Sequence, residues 1–387
     1  MQKRCKDLEQ KISDLEQRLK MSSLGVIDFL NELYGFSEIS PPVTETIRDP
    51  LRKDRLIDIV PYVSLVGHPL FQRLRHVKQL AFAYLKFEGA NHSRFEHSLG
   101  VYDYSQQAVS HFLKNGATEL RQKLSEKKKV IEAAALLHDV GHGPFGHALE
   151  ILTSSELNKL DYDFSIELLA RSDLAEQIKK VGVEPSEVAR LLRKDSSDLD
   201  GIELLAHDII DYPIDVDRMD FLGRDAYYTG EMIGAAPFVP DLINSMVYGK
   251  KPNGKYGLAY KLESMNSISE FLHAREVMYA NVYECPELVC AEEMLCHAIY
   301  RFAKQASLDL LVRLADIQLL DVMYLTASDP YCRDIVRRLM QGRLFVMIDE
   351  LDEGQFTPVL DEIRTNYGIK TAVEEKLAKD AGIPPGY

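Results

Sequence analysis

The run His138-Asp139-Val140-Gly141-His142-Gly143-Pro144-Phe145-Gly146-His147 places three histidines and a carboxylate within ten residues. Imidazole nitrogen and carboxylate oxygen are both good ligands for divalent first-row metals, so the adjacent His138 and Asp139 can reach one ion. The stretch before them, Val130-Ile131-Glu132-Ala133-Ala134-Ala135-Leu136-Leu137, reads as a core helix. Gly141, Gly143 and Pro144 then break it. A buried helix that delivers His and Asp at its end is a rigid support for a reactive centre. Two further segments carry the same residue types: His92-Ser93-Arg94-Phe95-Glu96-His97-Ser98-Leu99-Gly100 upstream, and Asp215-Val216-Asp217-Arg218-Met219-Asp220-Phe221-Leu222-Gly223-Arg224-Asp225 downstream. His97 lies before an apolar helix that includes Val109, Phe112 and Leu113. Downstream, Asp208, Asp211, Asp215, Asp217, Asp220 and Asp225 crowd one region, and spacing does not choose among them. Most acids in such a run are solvated or cap helices.

The three segments, in this order, resemble the HD-domain metal-dependent phosphohydrolases, whose ligands are a His, a His-Asp pair and a later Asp. Carried over, the ligands are His97, His138, Asp139 and Asp217. The resemblance narrows with Phe71-Gln72-Arg73-Leu74-Arg75, Lys78-Gln79-Leu80 and Phe87-Glu88-Gly89-Ala90-Asn91-His92. From about Asp49 to about Leu344 the chain looks like the deoxynucleoside triphosphate triphosphohydrolases, bacterial dGTPases among them. The resemblance implies a mainly α-helical HD bundle with small β-hairpin insertions and a mixed α/β C-terminal tail. It implies a divalent metal (Mn, Mg, Fe, Co, Ni or Zn) and a deoxynucleoside triphosphate substrate. In that family water attacks the α-phosphorus and releases intact triphosphate with a deoxynucleoside. His147 then matches the donor of a proton to the departing 5′ oxygen, with Glu150 one helical turn later to orient it. His142 contacts phosphate or supports the ligand shell. Arg94, Arg218 and Arg275 match positions that meet the phosphates. Gln79 and Leu80 match positions near the deoxyribose and base, and Asp225 a contact to the sugar 3′-hydroxyl. Arg275, Tyr279 and Tyr283 recur every four residues and share one helical face. Members often form dimers, tetramers or hexamers, and some take a nucleotide activator.

The pattern departs from the family in places. Phe221 stands where Tyr is common beside the sugar, which removes a hydroxyl. Asp161 stands where many relatives carry a histidine that assists catalysis. Gly67, and Asp49-Pro50-Leu51-Arg52 in place of an Asp-Pro-His-Gly type of motif, weaken the case for a guanine-reading regulatory site. Two rival readings follow. One is an HD phosphohydrolase acting on a monophosphate, a signalling nucleotide or an oligonucleotide. The other is a nucleotide sensor with weak or conditional hydrolysis.

The rest of the chain must support that centre. At 387 residues it can bury a large core, and 46% hydrophobic with 27% charged residues is an ordinary globular balance. No apolar run approaches the ~20 residues needed to cross a bilayer, and the N-terminus lacks a signal-peptide core. The net charge of −14 argues against general duplex binding, but not against a phosphorylated small molecule met by a few local arginines. Cys5, Cys285, Cys290, Cys296 and Cys332 show no CxxC spacing and read as free thiols in a reducing cytoplasm. Cys290, Cys296 and His297 are better read as helix packing than as metal ligands. Three units are expected. Residues 1–22, with Cys5, Leu8, Ile12, Leu15 and Leu19 at spacings of three and four, form either an oligomerising heptad helix or a docked amphipathic one. Residues 23–344 form the phosphohydrolase core, and 345–387 an α/β extension. Within the core, short strands and loops are expected at 40–66 and helices from Pro69 to about Lys180. A helix is expected over 202–211, a hairpin over Tyr248–Leu262, and helices from Ser264 to about Leu339. A strand at Phe345–Ile348 and a helix near Val359 complete the tail.

Overall fold

The structure, a computed structural model, describes residues 44–52, 55–157, 159–170, 172–231, 238–304, 306, 308–346, 367–380 and 382. It is mainly α-helical, with two small antiparallel hairpins. The first hairpin pairs β1 (Thr46–Ile47) with β2 (Ile57–Asp58). The helices that follow are α1 (Arg94–Asn115), α2 (Thr118–Leu137), α3 (His147–Leu157), α4 (Asp161–Leu169), α5 (Ser172–Lys180), α6 (Pro185–Leu192), α7 (Gly201–Ile210), α8 (Val216–Thr229) and α9 (Val239–Ser245). The second hairpin joins β3 (Met246–Lys250) to β4 (Tyr256–Tyr260), with Met246 opposite Tyr260 and Lys250 opposite Tyr256. Its turn runs over Lys251–Lys255, where Gly254 takes the left-handed φ of 86° that glycine adopts without strain. Then come α10 (Met265–Met278), a π-helical turn (Tyr279–Tyr283), α11 (Pro286–Phe302), α12 (Asp316–Thr326), α13 (Pro330–Met340) and α14 (Tyr367–Asp380).

The chain divides into two compact units. One joins Phe36–His142 to Asp161–Glu284. Its core lies where α1, α2, α7 and α8 pack on one another, through Phe95, Leu99, Ile131, Ala134, Leu205, Ile209, Met219 and Leu222. Apolar residues recurring at helical spacing make those faces, and burying them drives the packing. In the other unit, Gly143–Leu160 with Cys285–Tyr387, α11 packs on α3 and α13, and α12 on α13.

One expectation needs correction. Residues 77–93 are not continuous helix: a 3-10 turn at Ala83–Leu85 and a bridge between Lys78 and Ser93 replace it. Glycine at 89 and the loop-forming Asn91 break the helical pattern, and Gly89 has a carbonyl of Tyr228 2.5 Å from where a Cβ would stand. The heptad helix expected over 1–22 and the helix near Val359 lie outside the described residues, as do Met347 and Ile348 of the expected strand, while Phe345 and Val346 are not in a strand.

Candidate metal centre

The centre is built from three elements of the first unit. His97 sits one turn into α1, His138 and Asp139 directly follow α2, and Asp217 lies in the first turn of α8. The loop after α2 is pinned on both sides. Buried Arg73 donates to the carbonyls of Val140 (2.9 Å) and His142 (2.7 Å). Ser165 of α4 donates to the carbonyl of His138 (2.9 Å) and accepts from the Gly141 amide (3.0 Å). Gly141 is required by this approach, since a Cβ there would stand 2.1 Å from the Ser165 nitrogen. The start of α8 is fixed by Asp215, which caps it by accepting from the Arg218 amide at 2.7 Å.

His97, His138 and Asp217 each offer one ligand atom, all within 4.8 Å of one another. His97 Nε2 stands 2.9 Å from Asp217 Oδ1 and 3.2 Å from His138 Nε2. Asp139 lies beside the group, one oxygen 3.4 Å from His138 Nε2 and the other 3.8 Å from His97 Nε2. Two ligands about 2.1 Å from a shared cation stand roughly 3–3.5 Å apart, so the His97–Asp217 and His97–His138 separations suit one ion. The outer hydrogen bonds agree. His138 Nδ1 faces the Ala135 carbonyl (2.8 Å), which can only accept, so in the neutral ring the Nε2 lone pair points inward. His97 Nδ1 likewise faces the carboxylate of Asp220 (3.0 Å). Two inward lone pairs facing each other repel, and a cation between them removes the conflict. The donor set therefore fits a divalent metal.

Without a cation, protons take its place. Burial opposes charge on His97, but hydrogen bonds to Asp217 and Asp220 outweigh it and raise the ring pKa to about 10. Burial also works against the Asp217 carboxylate, yet His138 and His97 hold its pKa well below the usual range. Burial and Arg94 oppose charge on His142, while Asp161 and Asp139 prevail and raise it to about 9.

A cavity of about 200 Å³ opens beside these residues. Its walls include four carboxylates (Asp139, Asp161, Asp211 and Asp217) and two permanent cations, Lys194 and Arg218. Arg218 is already engaged by Asp215 and the Tyr212 carbonyl. Arg94 is buried against Asp139 at 2.9 Å. Lys194 follows α6 and is exposed at the cavity edge.

The other residues expected at the site fall into three groups. His142 holds Asp139 at 3.2 Å and Asp161 at 2.5 Å through Nε2, so the aspartate in the histidine position makes an ion pair rather than a gap. Asp225 accepts from Tyr283 (2.7 Å) and pairs with buried His92 (2.7 Å), while Phe221 stacks edge-on between His97 and Tyr283, at 6.4 Å from each. Tyr279 packs against Tyr283, with Arg275 5.5 Å from its ring, where the π-helical turn follows α10. Gln79 and Leu80 form a turn in which Ala81 takes a positive φ of 42°, and the buried Gln79 Oε1 has no hydrogen-bond partner. His147 and Glu150 open α3 in the second unit; the His147 side chain lies outside the described residues. Elsewhere, Cys296 donates to the Ala148 carbonyl and Cys290 to that of Phe345, while His297 pairs with Glu374. Sequence reasoning missed Arg73, Ser165, Lys194 and Asp220. Asp220 carried a signal, three residues after Asp217 and four before Arg224, and Arg73 stood within the quoted Phe71–Arg75 motif.

Comparison with known proteins agrees with this geometry. The HD domain matches residues 94–225, and the HD-associated region matches residues 250–387. The uncharacterized protein YwfO of Bacillus subtilis is 31% identical over 350 residues, covering 84% of this chain and 73% of that protein. The chain belongs to the HD-domain family. This HD-domain protein also resembles the human deoxynucleoside triphosphate triphosphohydrolase SAMHD1, at 38% identity over 137 residues, or 35% of this chain and 21% of that one. The crystal structure of a hypothetical protein from Aquifex aeolicus matches with a TM-score of 0.66 and 26% identity, covering 82% of this chain and 81% of that one. The HD-domain protein spans between about half and three quarters of the length of several curated relatives that it matches. With its His/Asp cluster it has the apparatus of a metal-dependent phosphohydrolase. Among the described residues no helix is long and apolar enough to cross a membrane.

Proposed function

We propose that this protein cleaves deoxynucleoside triphosphates to deoxynucleoside and triphosphate. The observation that carries the reading is the convergence of His97, His138 and Asp217 on one point, beside a cavity rich in carboxylates. Four acids against two permanent cations repel an anionic substrate. A bound divalent cation would offset that charge, lower the pKa of water and polarise a phosphoryl oxygen. At about 200 Å³ the cavity suits the phosphate end of a nucleotide rather than the whole molecule.

Within this reading His97, His138, Asp139 and Asp217 hold the metal. Arg94 fixes Asp139, and Arg218 and Lys194 meet phosphate oxygens. Water adds to the α-phosphorus as the bond to the 5′ oxygen breaks, and the electron pair leaves with that oxygen. His147 gives it a proton, with Glu150 as its orienting partner. Gln79 Oε1, buried and unpartnered, offers an acceptor to a donor on the nucleoside. Asp225 and Tyr283 present a joined carboxylate and hydroxyl for the sugar, and Leu80, Phe221, Tyr279 and Arg275 line the remaining contacts. The partial match to SAMHD1 supports this choice of substrate.

The Asp161–His142 pair favours a second reading, an HD phosphohydrolase acting on another nucleotide. Chromatography of products from the four deoxynucleoside triphosphates, with Mn or Mg, separates the two. Deoxynucleoside release that vanishes in the His138→Ala, Asp139→Ala protein supports the first. Orthophosphate or pyrophosphate release favours the second. A homo-oligomer, a nucleotide activator and a cytoplasmic setting belong to the same proposal.

A further inference from the structure

Beneath the metal centre lies a chain of buried ion pairs. Asp220 is fully buried on α8 and accepts four hydrogen bonds. His97 Nδ1 stands at 3.0 Å, Arg52 reaches Oδ1 at 2.8 Å, and Arg224 reaches the two oxygens at 2.8 and 3.1 Å. Arg224 goes on to Asp49 at 2.8 Å, and Arg52 to Asp103 at 3.0 Å. Asp49 and Arg52 belong to one turn, closed by the Arg52 amide on the Asp49 carbonyl at 3.0 Å. Gly100, one turn after His97 on α1, makes room for the cluster. A Cβ there would stand 2.0 Å from Asp220 Oδ1 and 2.5 Å from an Arg224 nitrogen. Glycine inside a 22-residue helix is otherwise unfavourable, so its position is set by what it admits.

We infer that Asp220 is the positioning residue for His97 and that the Asp49–Arg52 turn is part of the metal site. This rests on the reading of His97 as a metal ligand. The ring of His97 has one free rotation that matters, about its bond to Cβ, and Asp220 fixes it by holding Nδ1. Asp220 in turn has no freedom, because both arginines bracket it. Of the two, only Arg52 comes from outside the metal-bearing helices. Seating the Asp49–Arg52 turn therefore orients a ligand that lies 45 residues further along the chain, and metal binding and seating of the turn favour each other.

The test measures Mn binding by calorimetry on the full chain, wild type and variants, alongside melting of each protein in chelator. Arg52→Met leads, because Asp103 keeps Arg55 and Asp220 keeps Arg224, so each buried carboxylate retains a cation. Arg52→Met is expected to bind Mn on the order of tenfold more weakly, and Asp220→Asn roughly 10- to 100-fold more weakly. A cooperative metal-free melt in Arg52→Met with Mn affinity equal to wild type would overturn the inference, leaving the cluster a purely structural one. If Asp220→Asn does not fold, Arg52→Met decides alone. Wild-type protein that binds no Mn at all would instead overturn the metal reading itself, and the inference with it.

Discussion

His138 Nε2 and Asp217 Oδ1 both face the point where a cation would sit, which is why the metal reading predicts a sharp loss. Replacing either by Ala should abolish measurable Mn binding in calorimetry while the fold, monitored by circular dichroism, survives. Lys194 carries a different expectation. As an exposed cation at the cavity edge it would contact phosphate equally in ground and transition states. Lys194→Ala should raise KM roughly tenfold, about 1.4 kcal/mol, with kcat unchanged, and Lys194→Arg should restore it. An unaltered KM would remove Lys194 from the site. The histidines also make a pH prediction for metal-free protein. His97 and His142 have folded-state pKa values raised to about 10 and about 9, above the ~6.5 of an unfolded histidine. Their folded forms bind protons more tightly, so their contribution to stability is complete below pH ~6.5 and fades as pH rises through those values. Melting in chelator should fall between pH 6.5 and 10. Saturating Mn should flatten that decline, because metal competes with the proton for His97.

At the scale of elements, the loop after α2 is the sensitive part. Gly141→Ala forces a Cβ into the Ser165 nitrogen, 2.1 Å away, and the Asp161 carbonyl, 2.6 Å away. Since backbone on both sides must shift, a destabilisation of about 1–3 kcal/mol is expected, read as a lower melting temperature together with weakened Mn binding. A stable protein with wild-type Mn affinity would show that α4 does not brace the loop. This scale also shows what the sequence could disclose. The helix through Val130–Leu137 and the turn at Gly254 were readable from apolar runs and turn residues. The six aspartates between Asp208 and Asp225 were not, because spacing cannot separate their tasks. In the fold they diverge. Asp208 holds Lys251, Asp215 caps α8, Asp217 faces the two histidines, Asp220 braces His97 and Asp225 joins His92 to Tyr283. Only three-dimensional approach distinguishes a ligand from a cap. Lys194 left no trace for the same reason, and Arg73, although part of a quoted motif, carried no sign of its role: both roles depend on which surfaces meet.

At the scale of the whole molecule, the HD domain and its associated region account for most of the chain, and the proposed reaction is what they would carry out together. It commits to attack at the α-phosphorus, a commitment that product identity and the path of the water oxygen test together. The decisive measurement is turnover of a deoxynucleoside triphosphate with Mn in water enriched in the heavy oxygen isotope, followed by mass spectrometry of the products. Attack at the α-phosphorus predicts intact triphosphate carrying one heavy oxygen and an unlabelled deoxynucleoside. Heavy oxygen in the deoxynucleoside, or release of labelled orthophosphate or pyrophosphate instead, would contradict it.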